Sequence, residues 1–127
     1  MNPPDTIVRR WIHRFACAGG GLRYVLMREP SGRVHCAAMV AVAVLGWWLG
    51  LTALEWAVFA LAAASVIAAE ALNTAVERLA DRVSKEREES IRLIKDVAAG
   101  GVLASTIGAV IAGVAILGPK LWAVLFA

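Results

Sequence analysis

The sequence predicts an all-α integral membrane protein with three transmembrane helices and an N-terminal amphipathic helix in the membrane interface. Of its 127 residues, 60% are hydrophobic and only 18% are charged. A soluble domain is closer to about 45–50% apolar and about 25% charged. Long apolar windows accommodate the excess in a bilayer, so the composition argues against a soluble enzyme and against disorder.

Three windows are long enough to cross roughly 30 Å of hydrocarbon as helices. The windows Cys36–Leu54 and Val97–Pro119 carry no charged residue, and the window Trp56–Val76 carries only Glu70. We expect one membrane domain that covers residues 1–127. The spanning helices are expected at about residues 34–54, 56–77 and 97–118.

Residues before the first window predict an interfacial helix at about 6–28. Apolar residues recur there at three- and four-residue spacing, and arginines occupy the opposite side, as in helices that lie on phosphate headgroups. Three arginines stand where the apolar core of a signal peptide would be, so we expect that this segment is not a signal peptide. Gly19, Gly20 and Gly21 are expected to bend or break the helix. The apolar face consists of Ile7, Trp11, Phe15, Ala18, Leu22 and Leu26.

The distribution of lysine and arginine predicts the orientation. Six lie before Cys36, six lie between residues 78 and 95, and none lies around Glu55. Cytoplasmic loops hold the positive excess. The N-terminus and the 78–96 loop are therefore expected inside, and the turn near Glu55 and the C-terminus outside.

A polar stripe continues along the second spanning helix into the cytoplasm. At about 100° per residue, its members fall within one arc of about 100°. A carboxylate at membrane depth is expensive and is a functional candidate by default. The alternatives for Glu70 are a protonated carboxyl, a structural pair with an arginine, or a proton-coupling group. The stripe consists of Glu70, Asn73, Thr74, Glu77 and Asp81.

Three separate segments place charged groups in one cytoplasm-facing layer, which consists of Glu29, Glu77, Asp81, Lys95 and Asp96. Two carboxylates can hold a magnesium ion that also binds nucleotide phosphates. A lysine can neutralise a transferring phosphoryl group, and a deeper carboxylate can take a proton from a lipid hydroxyl. The pattern suits phosphoryl transfer to a membrane alcohol, although no common soluble kinase motif is present. His13 and His35 are interpreted as isolated residues that contact headgroups.

The string Glu70-Ala-Leu-Asn73-Thr74-Ala-Val-Glu77, followed by Asp81 and Lys95-Asp96, resembles the signature of the small prokaryotic diacylglycerol kinases, which include undecaprenol kinases. Arg10, Gly21-Leu22, Glu29 and Arg33-Val34-His35 also stand at family spacing, and the resemblance covers roughly residues 9–118. It implies a homotrimer with active sites shared between protomers. It further implies ATP as phosphoryl donor, Mg²⁺, a lipid alcohol as acceptor, no nucleic-acid partner, and a bacterial inner-membrane location with a cytoplasmic active site.

The resemblance also assigns residues. Glu70 would be the catalytic base, Glu29 and Glu77 would hold the metal, and Asp81 would support the site. The ATP-binding set would be Arg10, Cys17, Glu29, Asn73, Glu77, Glu86, Glu88, Lys95 and Asp96. The lipid-binding set would be Arg14, Arg23, Trp48, Glu70 and Ala99. The chain departs from the family pattern at Cys17, where some members have tyrosine, at Ser31, where many have asparagine, and at Glu86-Arg87-Glu88, which lacks the histidine often found there.

Two questions stay open at this point. Val34-His35 and Glu55-Trp56 resemble the undecaprenol branch and favour that acceptor slightly, whereas Gly-Leu-Arg23 and Trp48 suit diacylglycerol equally well. The competing function is a small oligomeric proton-coupled transporter that uses Glu70, and a third interpretation is a structural subunit of a larger complex. Only the kinase requires Mg-ATP.

Overall fold

Four helices make up the part of the chain that the computed structural model describes, residues 7–83 and 88–126. The expected all-α class is confirmed. Large apolar side chains remain mostly exposed, because among the described residues only Val25, Val66 and Ala80 form a buried apolar core. An apolar surface of this extent is typical of a chain covered by lipid or by other protomers. The helices are α1 (Ile7–Arg28), α2 (Pro30–Trp48), α3 (Ala53–Val83) and α4 (Glu89–Phe126).

Helix α1 runs without interruption through Gly19, Gly20 and Gly21. The expectation that these glycines bend or break the helix is wrong. Glycine costs about 1 kcal/mol in a helix interior relative to alanine but does not forbid the conformation. A methyl group added at any of the three would meet open space, so no neighbouring element imposes a kink there.

A sharp corner joins α1 to α2. Glu29 adopts an extended backbone conformation, and Pro30 is the first residue of α2, where its missing N–H costs nothing. The two helices approach so closely after the corner that a methyl group on Gly32 would lie 2.1 Å from the carbonyl oxygen of Val25. Only glycine permits this approach, which sets the position of the first turns of α2.

The turn between α2 and α3 is held by hydrogen bonds to the last turn of α2. Gly50, with φ of 68°, follows the end of α2; its N–H bonds to the carbonyl of Trp47, and the N–H of Leu51 bonds to that of Gly46. This is a Schellman motif, which requires a left-handed residue. The predicted first span, 34–54, therefore contains the end of helix α2 at Trp48 and this turn.

Helix α3 begins with a capping box. The N–H of Thr52 donates to the Glu55 carboxylate at 2.7 Å, and the N–H of Glu55 donates to the Thr52 hydroxyl at 3.3 Å. Lys120 of α4 lies 3.1 Å from the same carboxylate. Helix α4 thus packs antiparallel to α3, and a hydrogen bond between Ser65 and Ser105 joins them midway.

Helices α3 and α4 are long and apolar enough to cross a membrane. Helix α2 has 19 residues, and its first turns contain Pro30, Gly32 and Arg33. Helix α2 is therefore not among the helices that are long and apolar enough to cross a membrane. Together with the exposed apolar surface, the long helices indicate a membrane protein.

Candidate active site

The carboxylate of Glu70, on α3, is buried against the first turns of α2, and only 3% of the residue is exposed. The hydroxyl of Ser31 donates to Oε2 at 3.0 Å, and Nε2 of His35 lies 3.0 Å from Oε1. Both partners come from α2. The interpretation of His35 as an isolated residue is therefore wrong. Within residues 7–83 and 88–126, the partners of Glu70 are Ser31 and His35, so no arginine in these ranges forms the structural pair that was the alternative for Glu70.

The polar stripe on α3 changes from buried to exposed along the helix. Thr74 is buried, Asn73 and Glu77 are half-buried, and Asp81 is exposed. The amide of Asn73 donates to Glu77 at 3.1 Å. The carbonyl oxygen of the Asn73 side chain is buried without a hydrogen-bond partner in the described part of the chain. An unpartnered buried acceptor next to a carboxylate marks a place where a ligand can bind.

Glu29 lies at the corner between α1 and α2, where Arg78 of α3 donates a hydrogen bond to it at 2.8 Å. Arg78 also donates to the hydroxyl of Tyr24 and lies 4.8 Å from the centre of its ring. The hydrogen bond from Arg78, followed by that from Tyr24, lowers the pKa of the Glu29 carboxyl below its ordinary value. The sequence analysis missed this cluster, because Arg78 counted there only as a cytoplasmic charge.

The two charged residues that α4 contributes to the predicted layer, Lys95 and Asp96, take part in two separate ion pairs. Lys95 of α4 forms an ion pair with Asp81 of α3. Asp96, the next residue, instead lies 3.6 Å from Arg92, one turn earlier on its own helix. The structure therefore directs Lys95 towards α3 and the stripe, and Asp96 towards the exposed side of α4.

The predicted nucleotide and lipid residues on α1 are all exposed. Cys17 contacts His13 at 3.6 Å, and Arg14 lies 5.5 Å from the ring centre of Trp11, so both contacts stay within α1. Arg10 and Arg14 line a basic concavity of about 370 Å³ together with Arg9 and His13. Arg23 is exposed near the C-terminal end of the helix.

The other predicted residues lie apart from Glu70. Trp48 is exposed at the far end of α2, roughly 20 Å along the helix from His35 at 1.5 Å per residue. Ala99 is exposed on α4, one turn beyond Lys95. Glu88 immediately precedes α4, and its carbonyl accepts the N–H of Arg92. Glu86 lies outside the described residues.

An apolar groove of about 450 Å³ runs between α2, α3 and α4. Its walls include Met39 and Val42 of α2, Phe59 and Val66 of α3, and Val110 of α4. His35 lines one end of it, which connects the groove to the carboxylate of Glu70. The arrangement places a proton acceptor beside a space that suits a hydrocarbon chain.

No group of three or more His, Cys, Asp or Glu side chains within residues 7–83 and 88–126 is placed to hold a metal ion. The two predicted ligands are engaged by their own neighbours, Glu29 by Arg78 and Glu77 by Asn73. Their oxygen donors are nevertheless of the kind that Mg²⁺ prefers, since this ion is commonly held by one or two carboxylates together with phosphate oxygens.

Comparison with known proteins identifies the family. The model of the prokaryotic diacylglycerol kinase family matches residues 16–117. Undecaprenol kinase of Bacillus subtilis is 31% identical over 114 residues, which cover 90% of this chain and 93% of that protein. Diacylglycerol kinase of Synechocystis sp. is 38% identical over 108 residues, 84% of this chain and 62% of that protein. Diacylglycerol kinase of Escherichia coli is 31% identical over 91 residues, 72% of this chain and 75% of that protein.

These matches confirm the family resemblance that was based on the Glu70–Asp81 string and the Lys95-Asp96 pair. They extend over most of the four-helix chain and include the elements that surround Glu70. The chain therefore belongs to the prokaryotic diacylglycerol kinase family and is an ATP-dependent lipid kinase.

Proposed function

We propose that the chain transfers the γ-phosphate of ATP to the hydroxyl of a membrane lipid, with Glu70 as the general base. The observation that carries this proposal is the position of the Glu70 carboxylate. It is 3% exposed and is the only charged residue between positions 56 and 76, and its partner His35 lines the groove between α2, α3 and α4. A lipid whose chain lies in that groove would present its hydroxyl close to this carboxylate.

In the transfer, Glu70 accepts the proton of the lipid hydroxyl as the oxygen attacks the γ-phosphorus. The bond between the γ-phosphorus and the bridging oxygen breaks, and ADP leaves. Because Glu70 is buried, water has little access to the attacking oxygen. Exclusion of water favours transfer to the lipid over hydrolysis of ATP.

The nucleotide is assigned to the cytoplasmic end of the stripe. Glu29 and Glu77 would hold Mg²⁺, and the free carbonyl oxygen of Asn73 fits the same oxygen-rich site. Bound there, the ion would neutralise charge on the phosphates. Lys95 would approach the transferring phosphoryl group, positioned by Asp81. The remaining nucleotide contacts are proposed for Arg10, Cys17, Glu86, Glu88 and Asp96.

A homotrimer with shared sites is proposed because one chain leaves the machinery incomplete. The exposed α1 residues Arg10 and Cys17 have their contacts within α1, and α4 contains no buried residue among those described. A neighbouring protomer would cover this surface. We propose three spans, with α2 as the first, in the bacterial inner membrane, and a cytoplasmic N-terminus and active site.

For the acceptor we favour undecaprenol slightly over diacylglycerol. The match to the undecaprenol kinase of Bacillus subtilis covers 93% of that protein, and Val34-His35 resembles that branch. Arg14, Arg23, Trp48 and Ala99 are proposed as further lipid contacts along the helices. Family membership leaves the alternative of a proton-coupled transporter without support.

The test is a competition assay in mixed micelles with γ-labelled Mg-ATP, in which diacylglycerol and undecaprenol are offered together. Label in either lipid supports transfer, and the ratio identifies the acceptor. Glu70→Gln should lower transfer about 100- to 10,000-fold while Mg-ATP still raises the thermal stability of the protein. Glu55→Gln changes another carboxylate of the same helix, roughly 22 Å away, and should leave transfer unchanged. Full transfer by Glu70→Gln would overturn the assignment of the base.

A further inference from the structure

Two side chains of α2 occupy both oxygens of the Glu70 carboxylate. Ser31 and His35 are four residues apart and therefore lie on the same face of α2. The Ser31 hydroxyl donates to Oε2 at 3.0 Å, and His35 Nε2 lies 3.0 Å from Oε1. A carboxylate held at both oxygens cannot rotate freely, so its orientation is determined by α2 and not by α3 alone.

We propose that His35 is a positioning residue for Glu70, because its imidazole fixes the orientation in which the carboxylate accepts the lipid proton. The proposal rests on the proposed role of Glu70 as the base. The Nε2 atom lies 3.0 Å from Oε1, which is hydrogen-bonding distance. An imidazole that donates to Oε1 orients the carboxylate and leaves it able to accept the lipid proton.

The surroundings of His35 make Glu70 its dominant electrostatic partner among the described residues. Helix α4 faces it across the groove with Thr106, Ala109 and Val110, which carry no charge. On α3, Glu77 and Arg78 lie about 10 Å further along the helix than Glu70 at 1.5 Å per residue. Arg78 is also engaged by Glu29.

Helices α1 and α2 supply the remaining charged groups near this corner. Arg33 is exposed on α2, two residues before His35 and therefore on a different side of the helix. Arg28 ends α1 and is exposed, and Glu29 accepts the hydrogen bond of Arg78. Among the described residues, Ser31 and His35 are therefore the side chains that hold the Glu70 carboxylate.

The imidazole lies beside the groove, whereas the carboxylate is more deeply buried. The side chain of His35 is 21% exposed and that of Glu70 is 4% exposed, and His35 lines the groove between α2, α3 and α4. A change at His35 therefore acts at the boundary between the groove and the base.

The experiment compares kcat and the KM for ATP of wild type, His35→Gln, His35→Ala and the control Glu55→Gln. His35→Ala should lower kcat about 10- to 100-fold with little change in the KM for ATP, because the base loses its orientation. Glutamine can still donate a hydrogen bond to the carboxylate. His35→Gln should therefore recover most of the kcat that His35→Ala loses. Glu55→Gln should keep the wild-type kcat and KM.

The proposal is overturned if His35→Ala keeps wild-type kcat, or if folded His35→Gln loses as much kcat as is expected for His35→Ala. Thermal stabilisation by Mg-ATP identifies folded protein, and His35→Gln decides the question if the alanine variant does not fold. Glu70→Gln separates this proposal from the function on which it rests. An inactive Glu70→Gln with unaffected His35 variants refutes only the role of His35, whereas an active Glu70→Gln refutes the base itself.

Discussion

Replacing Gly32 with alanine places a methyl group where α2 passes closest to α1. The added carbon would lie 2.1 Å from the carbonyl oxygen of Val25 and 2.8 Å from its carbonyl carbon. Both are backbone atoms of a continuous helix and cannot rotate away as the end of a side chain would. The corner between α1 and α2 must therefore open.

The size of the opening follows from the contact distance. A carbon atom normally stays about 3.3 Å or more from a carbonyl oxygen, so the two helices must separate by roughly 1.2 Å. Overpacking of this kind costs about 3 kcal/mol at the upper end of the usual range. Ser31, the residue before Gly32, donates to Glu70 at 3.0 Å. A shift of that size in α2 takes this hydrogen bond beyond its limit, and misplacement by about 1 Å at a reacting group costs about 100-fold in rate.

The assay measures kcat and thermal unfolding of Gly32→Ala in detergent with Mg-ATP. We expect a lower unfolding temperature and a kcat reduced about 10- to 100-fold. Gly19→Ala is the matched control, because a methyl group there meets open space, and it should be neutral or stabilise α1 by up to about 1 kcal/mol. Wild-type kcat and stability in Gly32→Ala would refute the reasoning that the close approach of α1 positions α2 against Glu70.

Two further predictions concern ion pairs. The hydrogen bond from Arg78 lowers the pKa of Glu29 from its ordinary value of 4.5. The ion pair between Arg78 and Glu29 therefore stabilises the protein fully above pH 4.5. Its stabilisation is lost as the pH falls through the lowered pKa of Glu29. In thermal melts, Arg78→Met should lower the unfolding temperature slightly at pH 7, and less at high salt or at about pH 3. An equal loss at both pH values would contradict this. At the opposite end, Glu55→Ala removes the capping box as well as the Lys120 pair and should lower the unfolding temperature. Lys120→Met should cost less, and neither should change kcat; a larger loss in Lys120→Met would show that the ion pair outweighs the cap.

The helical class and the polar stripe could be predicted from the sequence, because both depend on periodicity within one segment. An apolar window of about 20 residues has few stable conformations other than a helix in lipid. Helical spacing then places Glu70, Asn73 and Glu77 on one face whatever the helix packs against. The string of residues from Glu70 to Asp81 also indicated the family, which the comparisons confirmed.

The break expected at Gly19–Gly21 shows the limit of local propensity. A glycine raises the cost of a helix but does not select an alternative, and nothing packed against α1 there requires one. The packing of α1 against α2 requires glycine at position 32, but the residues around Gly32 give no indication of this in the sequence. Its role appears only where α1 and α2 meet.

The sequence by itself determined which residues share a face of each helix, and hence that a carboxylate lies within an apolar span. Only the tertiary structure decided which faces meet. Ser31 and His35 reach Glu70 across 39 and 35 positions of sequence, and Arg78 reaches Glu29 across 49. These pairings depend on the angle of the Glu29–Pro30 corner and on the length of the Gly50 turn. Periodicity within a helix contains no information about either, because both are properties of how two helices are joined and packed.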